Sequence, residues 1–336
     1  MQNKIVVDAM GSDFAPKSEV EGSLLAIQES IANKGINPLA TPLFIILVGM
    51  SDKIQLLIDD FAIDNKAELL QYLEVVDAQE VITMDDDPVA AIKTKQDSSM
   101  VKGLQLHKSG VAGGYVSAGN TGATLTLATI ILGRISGVSR PTIGAFLPTS
   151  KHKSVFVLDV GATLECKSRF LYEYAVMGSI FCNVINGVAN PSIGLLNVGE
   201  EPSKGTSELI DAYNKLKNSG LNFYGNVEGN DILTHKTDIV ICDGYIGNVV
   251  LKLSESIIDF FDGIDIAAIS PALKKLLSGF DSEEAGGVPL LGAKGNVIVG
   301  HGNSTAMAIK NMIFKAYTLA EKDICKQIEV ELGKAQ

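Results

Sequence analysis

A three-layer α/β/α fold built on a mostly parallel sheet is the class this sequence predicts. Short β-branched runs alternate with amphipathic segments nearly throughout, the pattern of strands that cross over through helices. Many of those runs end on glycine, and glycine is abundant, 33 of 336 residues. Hydrophobic residues make up 46% and charged residues 20%, the balance of a folded chain rather than a disordered one. The chain is long enough to bury a core of its own. One domain over 1-336 is expected, with a helical flap around 250-290.

Taken in order, Ile5–Asp8 reads as a buried strand, and Pro16 opens a helix, where its missing N–H costs nothing. Leu43–Val48 is a second strand. Ser51 caps a helix that carries Ile54, Leu57, Ile58 and Phe61 on one face. Leu73–Val76 is a short strand, Asp87-Pro88 opens a helix, and Ser98 or Ser99 caps another. Gly114–Ser117 is a strand, followed by a helix to about Arg134. In the second half Ser154–Val160, Ile193–Val198, Asn222–Val227, Asp238–Asp243 and Val297–Val299 read as strands. Phe170–Val184, Thr206–Leu216, Asn248–Phe261 and a long closing segment, Asn303–Ile328, read as helices. Thr83–Met100 and Ser278–Leu291 break the pattern and read as surface loops or flaps.

Composition removes several classes of function. The net charge is −11, which argues against wholesale binding to nucleic acid, whose phosphates demand a basic footprint. The four cysteines, Cys166, Cys182, Cys242 and Cys325, are scattered, so neither a zinc site nor a disulfide framework is expected and a reducing compartment fits. The longest apolar run, Leu43–Val48, falls far short of the ~20 residues that span a bilayer. The first residues lack the apolar core of a secretory signal. A cytoplasmic protein is expected, without metal or cofactor.

In open parallel sheets ligands bind beyond the carboxyl ends of the strands. Five turns there are polar and glycine-rich: Asp8–Asp13, Ser117–Ala123, Asn197–Gly205, Asp243–Asn248 and Gly300–Ser304. In Ser117-Ala118-Gly119-Asn120-Thr121-Gly122, two glycines let backbone N–H groups approach an anion at a helix start. A locally capped turn uses the same residue types. Walker A spacing fails, because Lys204-Gly205 inverts the required Gly-Lys, and the G-x-G-x-x-G fingerprint is absent. ATP and NAD are therefore not expected. Lys204 opposes the dipole of the helix that follows, which makes sense if an anion occupies the site; pairing with Glu200 or Glu201 is the alternative. Asn248 reads either as a functional amide or as the N-cap of its helix. His301, between two glycines, reads as a ligand contact or as a plain turn residue. Cys166 stands beside Lys167, but no nucleophile elbow exists and no covalent intermediate is expected. The Asp85-Asp86-Asp87 run reads as a helix cap.

Together these turns resemble the phosphate acyltransferase family of bacterial phospholipid synthesis. The matching segments run from Val7-Asp8-Ala9-Met10-Gly11 through Ser98-Ser99-Met100, Ser117–Ala123, Gly133-Arg134, Asp159-Val160-Gly161-Ala162 and Gly194-Leu195-Leu196-Asn197. They continue through Lys204-Gly205, Gly225–Gly229, Asp243-Gly244 with Gly247-Asn248, and His301-Gly302. The resemblance implies a fold similar to isopropylmalate dehydrogenases and phosphotransacetylases, in homodimers. It implies formation of acyl phosphate from long-chain acyl-acyl carrier protein and inorganic phosphate. The family's catalytic lysine and asparagine fall on Lys204 and Asn248. Asp8, Ser117, Gly119, Asn120, Thr121, Gly122, Asn197, Gly205, Asp243, Gly247 and His301 are the implied substrate-binding set. Ser12, Thr163 and Tyr245 depart from the family's usual Gly, Asn and Phe. A membrane glycerol-3-phosphate acyltransferase is the implied recipient of the product, which suggests peripheral contact with the inner face of the cell membrane. Two alternatives stay open: a phosphotransacetylase-like enzyme that uses acyl-CoA, and a non-catalytic scaffold for acyl carrier protein.

Overall fold

The structure, a computed structural model, describes residues 3–33, 42–83, 85–257, 270 and 286–334. Its contacts gather into two compact units. The first holds the described residues of Met1–Gly133 and Ser282–Asp323, and the second those of Arg134–Asp281 and Ile324–Gln336. Most of the flap expected around 250-290 lies outside the described residues.

The first unit contains β1 (Lys4–Asp8), β2 (Phe44–Gly49), β3 (Leu73–Asp77) and β4 (Gly114–Ser117). The strand pair β10 (Val288–Leu291) and β11 (Asn296–Val299) completes its sheet, in the order β3-β2-β1-β4-β11-β10. All neighbours run parallel except β10, which is antiparallel to β11. Its helices are α1 (Lys17–Ala32), α2 (Ser51–Asp60), α3 (Lys66–Leu69), α4 (Pro88–Thr94), α5 (Ser99–Lys108), α6 (Thr121–Ile131) and a later one, Ala306–Glu321. The pleat sends alternate residues to opposite faces. Val6 and Tyr115 meet Gly103 of α5, whereas Gly114, beside Ile5, meets Ala316 of the later helix. Helices thus cover both faces, and the near-continuous apolar strands follow from that.

The second unit contains β5 (Thr142–Pro148), β6 (Ser154–Leu158), β7 (Ile193–Leu196), β8 (Phe223–Val227) and β9 (Ile239–Ile241), ordered β5-β6-β9-β7-β8. Only β5 runs antiparallel. Its helices are α7 (Ser168–Asn186), α8 (Ser207–Lys217), α9 (Gly229–Leu233) and α10 (Gly244–Ser256). Helix Ala306–Glu321 of the first unit is α11, and Ile324–Lys334 of the second is α12. Phe146, Phe156 and Phe181 stack with centroids 4.5–5.9 Å apart. Gly178 lets α7 press directly on Leu158 and Ile239.

The α/β class and the mostly parallel strands stand as predicted, and the differences are local. Ser51 does not cap α2; it is the first helical residue and donates its N–H to Asp77 at 3.1 Å instead. Two antiparallel strands, β5 and β10, lie where no strand was expected, and β10 falls inside the Ser278–Leu291 stretch read as a loop. Thr83–Met100 holds α4, capped by Asp87, and the start of α5, capped by Ser98. The closing helix is broken in two, because Asp323 adopts φ 47°, a left-handed conformation that Asp tolerates through local bonding. Helix α10 begins at Gly244, four residues before Asn248.

Candidate active-site turns

In the first unit three of the five turns meet at the carboxyl ends of β1, β4 and β11. Asp8 ends β1 fully buried. It accepts the Ser117 hydroxyl at 2.7 Å and the Met10 N–H at 3.2 Å, and burial still pushes its carboxyl above the ordinary range. Ser117 in turn accepts the Gly119 N–H at 3.2 Å. Gly11 must be glycine, since a Cβ there would stand 2.7 Å from the Gly119 nitrogen. Gly300 N–H donates to the Ser117 carbonyl and Asp13 N–H to the Gly302 carbonyl, which ties half-buried His301 into the same cluster. Asn120 caps α6 by accepting the Ala123 N–H at 3.0 Å. Thr121 and Gly122 follow it, exposed, as the first two residues of that helix. Their N–H groups have no intrahelical partner, so this helix start presents open backbone donors of the kind that suit an anion.

In the second unit the turns after β6, β7 and β9 carry the remaining residues. Asp159 is buried just past β6 and accepts three N–H groups of its own loop, from Gly161 at 3.1 Å, Ala162 at 2.9 Å and Thr163 at 2.7 Å. Burial outweighs those bonds and raises its carboxyl to about 6. Gly244 N–H donates to the Thr163 carbonyl at 2.9 Å. Gly247 sits directly on Asp159, where an added Cβ would collide with the Asp159 carbonyl oxygen. Asp243 caps α10 through the Ile246 N–H at 2.9 Å. The cap reading of Asn248 is therefore overturned. Asn248 is exposed one turn into the helix, its amide over Gly161, and its side chain makes no hydrogen bond among the described residues.

The turn after β7 is held from below. Buried Asn197 donates to the Lys204 carbonyl at 3.0 Å and accepts the Val198 N–H at 2.8 Å. Gly205 turns at φ +89°, where a Cβ would stand 2.6 Å from Asn197 Oδ1. Asn226 donates to the Glu201 carbonyl at 2.8 Å. Lys204 is exposed and forms no ion pair among the described residues. The pairing with Glu200 read from the sequence does not occur: Glu200 pairs with Lys236, which also holds Asp231. Cys166 is pushed up to about 12 by burial, so its thiolate is disfavoured in spite of Lys167. Asp86 is occupied by Lys95 and Thr83, and Asp87 by the α4 cap.

The sequence reading missed Asp159 and Asn226 as supports. Asp159 was marked by its place in a segment that carries the family resemblance and by its echo of Asp8, an aspartate closing an apolar run two or three residues before a glycine. Asn226 lies in the matching segment Gly225–Gly229, but its role was not legible there, because it acts through a carbonyl 25 positions away.

The geometry is that of an α/β protein with polar, glycine-rich turns at the ends of its strands. Solved structures agree at the level of fold. The EutD phosphotransacetylase from Staphylococcus aureus superposes with TM-score 0.60 at 18% identity, covering 94% of each chain. A phosphotransacetylase from Streptococcus pyogenes gives 0.61 at 17%, covering 95% of this chain and 94% of that one. The family described as "Fatty acid synthesis protein" matches residues 3–327. The phosphate acyltransferase of Chlorobaculum parvum is 41% identical over 98% of both chains. That of Nitratiruptor sp. is 41% identical over 98% of this chain and 97% of its own. The chain belongs to this fatty acid synthesis family, among its phosphate acyltransferases.

Proposed function

We propose that the chain transfers the acyl group of a long-chain acyl-acyl carrier protein to inorganic phosphate, yielding acyl phosphate and the free carrier thiol. The observation that carries this reading is the pair Lys204 and Asn248. They stand in the turns of adjacent strands β7 and β9, both exposed, and neither is occupied by a cap or an ion pair.

Phosphate is already a nucleophile, so neither an enzyme base nor a serine is required. One phosphate oxygen attacks the thioester carbonyl, the C–O bond forms, and charge gathers on the carbonyl oxygen. Collapse breaks the C–S bond and expels the thiolate, which needs little acid assistance. Lys204 and the Asn248 amide are the donors for the developing charge, and one such donor is worth roughly 3–4 kcal/mol. Taken by itself, the open start of α6 at Thr121 and Gly122 in the first unit is suited to an anion such as phosphate. Asn197, Gly205, Asp243 and Gly247 hold the donors in place.

The finer partnerships rest on exposed apolar surface and on product chemistry. Tyr245, Ile246, Val249 and Leu253 leave α10 with an exposed apolar side, suited to the second copy in a homodimer. No helix among the described residues is long and apolar enough to cross a membrane. An acyl phosphate hydrolyses in water, which favours direct delivery to a membrane glycerol-3-phosphate acyltransferase by a peripherally bound enzyme.

Mass spectrometry after mixing the protein with palmitoyl-acyl carrier protein and phosphate tests the reading. Phosphate-dependent palmitoyl phosphate is expected. Turnover on palmitoyl-CoA but not on the carrier would favour the coenzyme A alternative, and no turnover on either would leave only the scaffold.

A further inference from the structure

Beneath the cradle of the first unit lies a second carboxyl that the proposed chemistry does not use. Glu19, in the first turn of α1, has no exposed surface. Its Oε1 accepts the Ser12 N–H at 3.3 Å, while Oε2 is buried without a hydrogen-bond partner, as is the Ser12 hydroxyl. No cation among the described residues pairs with it. Its charged neighbour is Asp8, itself buried and already satisfied by Ser117 and Met10.

The other charged groups of this region point elsewhere. Lys17 pairs with Glu21 at the solvent side of α1, and Lys310 of α11 pairs with Glu29 at the far end of α1. Asp13 is exposed, and His301 belongs to the β11 turn, joined to this one through Asp13 and Gly302. Two buried carboxylates with so few donors cannot both be ionised cheaply, so the pair retains a proton. The proton belongs on Glu19, because Asp8 is held as the charged partner by Ser99, Ser117 and Met10. Burial foremost, with the Asp8 charge adding, raises the Glu19 carboxyl to about 7.

We propose that Glu19 is a positioning residue for the anion cradle: as a neutral carboxyl it lets the Met10–Asp13 turn pack beside Asp8 without a second buried charge, and on losing its proton it repels Asp8 across that turn and weakens anion binding. The linkage is short. Gly11 of this turn lies against Gly119, and Gly119 leads directly into the cradle. An ionised Glu19 would also add negative charge beneath a site built for an anion. The inference rests on the reading that the cradle at Thr121 and Gly122 takes phosphate.

The experiment is calorimetric binding of inorganic phosphate and of sulfate to the full chain from pH 6 to 8.5. Sulfate keeps its charge across this range, so its profile reports on the protein alone. Wild type should lose roughly tenfold in sulfate affinity, about one pKa unit of coupling, while Glu19→Gln stays flat within about twofold. Phosphate should show the same wild-type-to-variant ratio. A merely structural role would shift both affinities by one factor at every pH and leave the two profiles parallel, which would overturn the proposal. Glu19→Met serves if the glutamine variant fails to fold, and a flat wild-type sulfate profile refutes the proposal without any variant. Absence of phosphate binding at every pH, or binding unchanged when Gly122→Val blocks the cradle, would instead refute the reading beneath it.

Discussion

In the first unit the helix after β4 begins open, whereas in the second unit the helix after β9 begins closed. Asn120 satisfies one N–H of α6 and leaves Thr121 and Gly122 exposed. Asp243 caps α10 in the same way, but Gly244 is bonded to the Thr163 carbonyl and Gly247 is pressed on Asp159. One glycine-rich turn therefore offers backbone N–H groups and the other offers a side chain, Asn248. The two aspartates beneath them differ to match. Asp8 takes its hydroxyl donor from the neighbouring strand and so links β1 to β4, while Asp159 takes three N–H groups from its own loop and makes that loop a rigid seat. Turns with similar residues leave different atoms available, and packing decides which.

The contrast is broken most severely at Gly247. Gly247→Ala drives a methyl group into the Asp159 carbonyl and should cost more than about 3 kcal/mol, an overpacking loss at the upper end of the usual range. Urea melts would read it, and a stability near wild type would refute the close approach. Next come Lys204→Ala and Asn248→Ala, each expected to lower kcat roughly 100-fold or more with Tm unchanged, as for loss of one oxyanion donor. Near-normal turnover in either would remove that residue from the chemistry.

Asp159 sharpens the comparison through pH. The native state holds a proton that the unfolded chain releases, because the carboxyl is raised from 3.8 to about 6. Its contribution to stability is therefore full below about pH 4 and is lost as pH rises through about 6, on the order of 2–3 kcal/mol in all. Urea melts at pH 4 and 6.5 should show a fall in wild type that is smaller by this amount in Asp159→Asn; equal falls would refute the assignment. The smallest effect belongs to Gly122, whose added Cβ would meet only Asn120 Oδ1, at 3.4 Å. Gly122→Ala should stabilise the protein by about 0.5 kcal/mol through helix propensity. A fall in Tm would mean that the α6 start is less open than its exposure indicates.

Much of the fold was legible because it rests on near neighbours. Gly114–Ser117 is a strand with those very bounds, and Asp87 and Ser98 cap their helices. Strand β5 was hidden, since Thr142–Pro148 carries Gly144 and Pro148, and only its pairing with β6 makes it a strand. Strand β10 contains Pro289 and lies close to Gly286 and Gly287, so its local signal is that of a loop.

The sequence by itself determined the α/β alternation, the position of the glycine-rich turns at strand ends, and the family to which Lys204 and Asn248 point. These depend on backbone preferences and apolar periodicity over a few residues, which the chain states locally. Only the tertiary structure decided that Glu200 goes to Lys236 and leaves Lys204 unpaired, and that Asp243 frees Asn248 from capping. It also decided that Asp8, Glu19 and Asp159 are buried carboxyls with raised proton affinity. Desolvation and pairing depend on which distant segments arrive beside a group, and no local pattern encodes that arrival.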